Sequence, residues 1–211
     1  MTSAKMHRAE KTEKTKQDLR SEVTRQRLVA AARALFAERG YTGVATEEIV
    51  QAAGVTRGAL YHQFRDKAGL FAAVAESVHA EIAQRITAGA RADGPTDPMA
   101  TLEAGMRRFL EACADPTVER IILLDAPAVL GWQAWREQAE HYGLGLLQYA
   151  LQAAIDAGVI TPQPVVPLAH ALIGALSECA MYLARAQDPP VARHQCTTIL
   201  QQLLRGLTPD R

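Results

Sequence analysis

Cysteine, aromatic residues and net charge are all scarce in this chain of 211 residues. The three cysteines occur without a CxxC pair or a nearby histidine cluster, which argues against a zinc site or a disulfide framework. Aromatic residues make up 5% of the chain, and 23 Lys or Arg residues balance 23 Asp or Glu residues. We therefore expect reduced thiols, a cytoplasmic protein, and neither a bound metal nor another cofactor.

Membrane, secretion and enzyme signals are also missing. The first thirty residues lack the apolar stretch of a secretory signal. The longest apolar run, residues 165 to 184, contains Pro167 and Glu178, so it predicts a buried helix and not a membrane span. No HExxH, GxSxG or phosphate-loop motif occurs, and we do not expect an enzyme.

Alanine and leucine dominate what is present, and this composition predicts an all-α protein of about nine helices. Residues 1 to 20 lack hydrophobic periodicity and predict a flexible basic arm. Residues 21 to 67 predict a helix-turn-helix domain, and residues 68 to 211 predict a helical bundle. The charge is uneven, since residues 1 to 67 hold 13 basic against 8 acidic side chains. The amino-terminal part is therefore the one that would attract a polyanion.

Three helical patterns follow the arm. The first ends at Gly40, a residue that suits a left-handed helix cap. Thr46 precedes two glutamates and predicts the cap of a second helix, which runs to about Ala53. Thr56 predicts the cap of a third helix, Arg57 to Gln63. Two short helices joined by three residues are typical of a helix-turn-helix.

A recognition helix needs one packed face and one face open to the major groove. The residues predicted to pack are Ile49, Ala52, Ala53, Val55, Leu60 and Phe64. The residues predicted to face outward are Arg57, Gly58, Ala59, Tyr61, His62 and Gln63. Two packed helices of any bundle share this pattern, so the longer sequence must distinguish the alternatives.

The run TRQRLVAAARALFAERGYTGVATEEIVQAAGVTRGALYHQFRDKAGLF, Thr24 to Phe71, strongly resembles the DNA-binding domain of the TetR family of bacterial transcriptional regulators. The matching elements are ALFAERGY, a Thr-capped second helix ending in AAGV, then TRGALYHQF and a following lysine. The resemblance implies an all-α, Ω-shaped homodimer with an amino-terminal three-helix DNA-binding domain. It also implies a repressor that a small-molecule effector releases from a palindromic operator. A ligand-independent regulator, an activator and a non-specific architectural DNA-binding protein remain alternatives.

The same resemblance assigns roles to individual residues. It implies phosphate contacts by Thr46, Tyr61, His62 and Lys67. Arg57 is the candidate for reading a base edge, because its planar guanidinium can pair with guanine, and a phosphate contact is the alternative. Gly58 lets the helix approach the DNA backbone, and Ala59 suits an apolar contact such as a thymine methyl group. Gln63 replaces the more common His or Tyr, which leaves the operator sequence open.

The carboxy-terminal part predicts a dimer interface and a ligand site. A palindromic operator needs two recognition helices, and leucine-rich stripes at 168 to 183 and 199 to 207 predict a homodimer through the last two helices. Apolar walls with a few polar tips suit a small-molecule pocket. The candidate ligand contacts are Met106, Phe109, Leu110, Cys113, Asp125, Trp132, Trp135, Tyr142, Tyr149, Glu178 and Tyr182.

Overall fold

Every regular element in the described part of the chain is a helix, which confirms the all-α prediction. The computed structural model describes the backbone of residues 2 to 94 and 97 to 209, and the side chains from residue 17 onward within those ranges. Nine of its helical segments have seven residues or more, and one of the nine is a π-helix. The segments are α1 Thr2–Arg39, α2 Thr46–Ala53, α3 Arg57–Gln63, α4 Lys67–Asp93, α5 Pro98–Cys113, α6 Pro116–Val118, the π-helix Glu119–Asp125, α7 Ala126–Val129, α8 Trp132–Asp156, α9 Val165–Leu183 and α10 Pro189–Arg205.

The chain forms two compact units, Met1–Val74 and Ala75–Arg211. Helix α4 contributes its first residues to the first unit and the rest to the second. The boundary proposed from the sequence, after Lys67, falls at the first residue of this helix. Each unit has buried apolar side chains of its own.

The core of the first unit is built on one face of α1. Leu28, Ala32 and Phe36 are fully buried and recur every four residues, as one face of an α-helix requires. Helix α1 packs against α2 and α3, which bury Ile49 and Leu60. This packing holds the two short helices in place, because seven or eight residues do not form a stable helix alone.

Helix α1 begins much earlier than the sequence pattern indicates. We expected it to start after an arm of residues 1 to 20 that lacks hydrophobic periodicity, but the backbone is helical from Thr2. The reason is local, because the first 39 residues contain no Gly or Pro and are rich in Ala, Glu, Lys, Gln and Arg, which favour helices. The side chains of residues 1 to 16 lie outside the described residues, so the flexible basic arm stays a prediction.

The second unit is a bundle of α5, α8, α9 and α10 around one apolar core. Each of these helices buries a leucine in that core, and examples are Leu110, Leu151, Leu176 and Leu200. A described segment of the second unit between α5 and α8 departs from α geometry. After α5, the short α6 is followed by the π-helix, and the Ala126 N–H donates to the carbonyl of Ile121, five residues earlier.

Proline and glycine account for the irregular segment before α8. Pro127 lacks the N–H that would bond to the carbonyl of Leu123, so an α-helical ladder cannot continue through it. Gly131 then takes a φ of 83°, a left-handed conformation that suits glycine. Helix α8 consequently begins only at Trp132.

Helix α9 is long and apolar enough to cross a membrane, by length and composition alone. Core helices of globular bundles can meet the same criterion, and α9 packs against α5, α8 and α10. Its buried residues are Ala169, Leu172, Ile173, Leu176, Ala180 and Leu183. Some of the apolar side chains of α9 therefore pack in the bundle core, and others lie on an exposed face.

Candidate nucleic-acid interface and ligand cavity

The first unit presents a helix-turn-helix made of α2 and α3. Gly54 ends α2 with a φ of 64°, in the left-handed region that lets the chain turn tightly. The Thr56 side chain accepts the N–H of Ala59 at 3.2 Å and caps α3, as the sequence predicted. Helix α3 spans Arg57–Gln63, the predicted range.

Glu48, and not Thr46, satisfies the start of α2. Thr46 is the first residue of the helix and Ala45 occupies the N-cap, so the predicted capping role of Thr46 is wrong. Glu48 Oε2 accepts the N–H of Ala45 at 2.8 Å, and Oε1 lies 2.7 Å from Arg39 Nη1. The hydrogen bond from Arg39 holds the pKa of Glu48 below its ordinary value. A glutamate three residues after the N-cap is the sequence signal for this arrangement.

Helix α3 turns most of its predicted recognition residues toward solvent. Leu60 is fully buried and Phe64, just after the helix, is nearly so. Ala59 is half-buried, and Ala52 on α2 is exposed although we expected it to pack. The exposed residues of α3 are Arg57, Gly58, Tyr61 and His62. One face of the helix is therefore open to a partner.

Gln63 contacts α1 and does not face outward as predicted. Its Nε2 donates to the hydroxyl of Ser21 at 2.7 Å and to the Ser21 carbonyl at 3.2 Å. Both bonds are part-buried and join residues 42 positions apart in the chain. They fasten the last residue of α3 to α1, so Gln63 positions the exposed face without forming part of it.

Arg57 is exposed, and its guanidinium has two neighbours. Nη1 lies 3.0 Å from a carboxylate oxygen of Glu47 on α2. The guanidinium carbon is 5.6 Å from the centroid of the Tyr61 ring, within range of a cation–π contact. A hydrogen bond with Tyr61 and the charge of Glu47 raise the pKa of Arg57, so it is charged under all ordinary conditions.

Lys67 is partly enclosed at the start of α4. Its Nζ donates to the carbonyl of Val44 at 2.7 Å and lies 4.2 Å from the centroid of the Tyr41 ring. Burial lowers the pKa of this ammonium group. Lys67 thus connects the start of α4 to the segment between α1 and α2. Its contact with a DNA phosphate stays a prediction.

A cavity of about 540 Å³ lies in the second unit. Helices α4, α5, α8 and α9 and the π-helix contribute to its wall. Its volume is in the range of small-molecule sites. Most of the wall is apolar, and representative residues are Ile82, Ile86, Leu102, Leu123, Ile173 and Leu176.

Six of the predicted ligand contacts lie in the wall of this cavity. They are Met106, Phe109, Cys113, Trp135, Tyr142 and Tyr149. Their binding of a ligand stays a prediction. Burial of Cys113 raises the pKa of its thiol to about 12, so this wall residue is an uncharged, unreactive thiol at neutral pH.

The other five predicted contacts do not line the cavity. Leu110 is buried in the bundle core, and Asp125 ends the π-helix. Trp132, Glu178 and Tyr182 are exposed. Helical periodicity shows which residues share a face, but it does not distinguish a face that packs from a face that borders a void.

Two polar groups of the wall are buried without a hydrogen-bond partner among the described residues. They are Nε2 of His79 and Nε1 of Trp135, whose side chains are 7% and 3% exposed. The His79 ring stacks on the Tyr142 ring with centroids 6.2 Å apart and planes 5° apart. Burial lowers the pKa of His79 to about 4, so its imidazole is neutral at physiological pH.

Two family models of known proteins match separate parts of the chain. Residues 28–74 match the family model for bacterial regulatory proteins of the tetR family, and residues 99–207 match the tetracyclin repressor-like C-terminal domain. The second match covers more than half of the chain.

The chain belongs to the TetR family.

Individual TetR-family proteins resemble the chain to different extents. A regulator from Pectobacterium atrosepticum, known from its crystal structure, is 34% identical, with a TM-score of 0.80 over 91% of this chain and 97% of that one. The regulator AcrR of Shigella flexneri is 34% identical over 110 residues, which are 52% of this chain and 50% of AcrR. The match thus spans about half the length of this curated relative. The structure of RolR in complex with resorcinol shares the fold, with 19% identity and a TM-score of 0.69 over 92% of this chain and 98% of RolR.

The TetR-family sequence pattern did not indicate several contacts that the structure shows at the two sites. Glu47, Glu48 and Gln63 stabilise or flank the helix-turn-helix through contacts across helices. His79 lies in an amphipathic stretch of α4 that reads as ordinary packing. A single histidine in an apolar stretch was the one available signal for the cavity wall on α4.

Proposed function

We propose that this TetR-family protein is a transcriptional repressor that binds a palindromic DNA operator and is released by a small-molecule effector. The observation that carries the proposal is the exposed face of α3, with Arg57, Tyr61 and His62 on a short helix fixed by Thr56 and Gln63. A second unit with a cavity of about 540 Å³ supports the effector part.

The proposed DNA contacts are of two kinds, those with the bases in the groove and those with phosphates. Arg57 reads a base edge, since its guanidinium has donors in the geometry of guanine O6 and N7. Gly58 and Ala59 leave room for close approach to the groove. Thr46, Tyr61, His62 and Lys67 contact phosphates and set the register of the helix.

A homodimer supplies the second recognition helix. Two half-sites of a palindrome lie about 34 to 36 Å apart, and one chain has a single α3. Most leucines of the predicted stripes, such as Leu172, Leu176 and Leu200, are buried in the core of the second unit and are not available for a dimer contact. Other apolar side chains of the last two helices are exposed and support an interface there. They are Val166, Tyr182, Val191, Ile199 and Leu203. A protein with this function works in the cytoplasm, where the bacterial chromosome is.

The effector acts through a difference in affinity between two states of the dimer. An effector that binds the DNA-free state more tightly shifts the population toward it, and operator affinity falls. Helix α4 supports this coupling, because it begins at Lys67 in the first unit and lines the cavity from His79 to Arg91 in the second. RolR is a protein of this fold that has been solved with a small aromatic molecule, resorcinol.

Binding to the DNA upstream of its own gene tests the proposal. We expect the full chain to bind that DNA at least about a thousandfold more tightly than random DNA of equal length, as a dimer and at physiological salt. Leu203→Glu should weaken the dimer and operator binding together, while an exposed polar residue, Gln202→Glu, should leave both unchanged. A specificity ratio near one would indicate an architectural DNA-binding protein. A monomer that binds the operator equally well would exclude the proposed interface.

A further inference from the structure

Several of the hydrogen-bond donors that the residues of the cavity wall carry already have acceptors within the protein. The hydroxyl groups of Thr87 and Ser177 donate to backbone carbonyls of Ala83 and Ile173, at 2.8 and 2.9 Å. The Tyr142 hydroxyl donates to Glu76 at 3.2 Å. These three hydroxyl protons are therefore already used within the protein. Trp135 also lines the cavity, and its buried indole N–H has no acceptor among the described residues.

The cavity wall also lacks acidic side chains among the described residues. Among the described residues that line the cavity, none is Asp or Glu. Arg91 is the one Lys or Arg among them, and its side chain is exposed. His79 is held neutral by its burial, which lowers its pKa. A cationic ligand would lose its hydration without gaining a counter-ion, which is unfavourable.

Trp135 lies on the face of α8 that lines the cavity. Trp135 and Tyr142 are seven residues apart, so they share one face of the helix about 10 Å apart along its axis. Between them, Ala139 lines the cavity with a small side chain.

We propose that the cavity takes an uncharged, largely apolar molecule with a hydrogen-bond acceptor oxygen, and that this oxygen accepts the indole N–H of Trp135. The inference rests on the proposed function for the role of that molecule as effector, but the binding chemistry stands on the cavity alone. An unpaired buried donor is unfavourable, and a ligand oxygen removes that cost while the hydrocarbon part fills the apolar volume. Tyr142, stacked on neutral His79, faces the same ligand with an aromatic surface.

Calorimetric titration of the full chain with four naphthalene derivatives tests this inference. The probes are acetylnaphthalene, ethylnaphthalene, naphthoate and naphthylmethylammonium, which keep the ring and change only the polar group. We expect acetylnaphthalene to bind roughly tenfold more tightly than ethylnaphthalene, because the latter leaves the indole N–H unpaired. The ammonium probe should bind at least about a hundredfold more weakly than the ketone. Naphthoate should also bind more weakly than the ketone.

Two tryptophan variants identify the donor. Trp135→Phe should abolish the preference for ketone over hydrocarbon and retain binding of ethylnaphthalene. Trp132→Phe is the matched control, because its ring centroid is 4.9 Å from that of Trp135 but its side chain is exposed and outside the wall. This control should keep the ketone preference. The comparison of the two neutral probes on the unaltered chain does not depend on either variant folding.

Three results would overturn the inference. They are tighter binding of naphthoate or the ammonium probe than of the ketone, a ketone preference that survives Trp135→Phe, and no binding of any probe. Operator release is measured separately by fluorescence anisotropy. If acetylnaphthalene binds with the expected dependence on Trp135 but leaves the DNA bound, the coupling in the proposed function fails and the inference about the cavity stands.

Discussion

The side-chain amide of Gln63 donates to the hydroxyl oxygen of Ser21 at 2.7 Å, and this bond joins the end of α3 to α1. A second bond from the same amide reaches the Ser21 carbonyl at 3.2 Å. The recognition helix has seven residues, so contacts of this kind decide how rigidly its exposed face is held. Gln63, which departs from the family pattern, thus connects α3 to α1 by hydrogen bonds.

Replacing Gln63 by Ala should remove both hydrogen bonds to Ser21. We expect the free energy of unfolding of the first unit to fall by about 1 kcal/mol, the usual contribution of such a hydrogen bond. Operator affinity should fall as well, because α3 loses part of its support. Chemical denaturation and DNA titration measure the two effects. Gln51→Ala, at an exposed glutamine of α2, should change neither quantity. Unchanged stability in Gln63→Ala would mean that the bond to Ser21 contributes nothing.

Lys67 has two roles to separate, one in folding and one in DNA binding. Lys67→Met removes the ammonium group that donates to the Val44 carbonyl at 2.7 Å. We expect a loss of stability of about 1 to 3 kcal/mol, because a hydrogen bond from a charged donor is lost. Arg65→Met removes an equal charge from an exposed side chain and should leave stability within about 0.5 kcal/mol. Weaker operator binding with unaltered stability would make Lys67 a phosphate contact only.

Arg57→Ala tests base recognition by the exposed face. We expect operator binding to weaken by about 1 to 3 kcal/mol and the preference at one base pair to relax. Binding to a panel of operators with single base-pair changes measures both. Glu47→Gln is the control, since it removes the carboxylate 3.0 Å from Arg57 without removing the guanidinium. It should strengthen binding to all DNA and keep the base preference. An equal loss on operator and random DNA in Arg57→Ala would convert Arg57 into a phosphate contact.

His79 should make the second unit sensitive to acid. Its pKa is about 4 in the folded chain, below its ordinary value of 6.5, because burial disfavours the charged imidazole. Between these values the unfolded chain binds more protons, so stability is fully present above pH 6.5 and falls as the pH drops toward 4. The loss attributable to His79 should reach about 2 kcal/mol at pH 5.

Variants at two histidines isolate this effect. Denaturation midpoints at pH 7.5 and pH 5 should differ less in His79→Leu than in the unaltered chain. His194→Gln, at an exposed histidine of the same unit, should retain the full pH dependence. The same acid sensitivity in His79→Leu would show that another group is responsible.

Deleting residues 1 to 16 tests the predicted basic arm. This deletion keeps Ser21, which accepts the bonds from Gln63, and Arg20, whose carbonyl accepts the Thr24 hydroxyl at 2.9 Å. We expect the slope of log affinity against log salt to decrease by about 0.9 for each phosphate contact that is lost. Operator affinity measured from about 50 to 200 mM salt gives the slope. An identical slope before and after deletion would dismiss a DNA contact by the arm.

Local patterns determined the elements of the helix-turn-helix. Thr56 caps α3 and Gly54 turns the chain because hydroxyl capping and left-handed backbone depend on one or two adjacent residues. Leu28, Ala32 and Phe36 recur every four residues, and this local period matches the buried face of α1. The same local rules failed at Thr46, where Glu48 satisfies the helix start instead.

What only the tertiary structure decided depends on residues far apart in the chain. The partner of Gln63 is 42 residues away, and no spacing rule relates the two. The cavity is a gap between helices, so Trp135 lies in its wall while Trp132, with the same chemistry three residues earlier, does not. The sequence by itself determined the helices, the turn and the family. Packing among the helices decided which polar groups are held, which are exposed, and which border an empty volume, because burial is a property of three-dimensional neighbours.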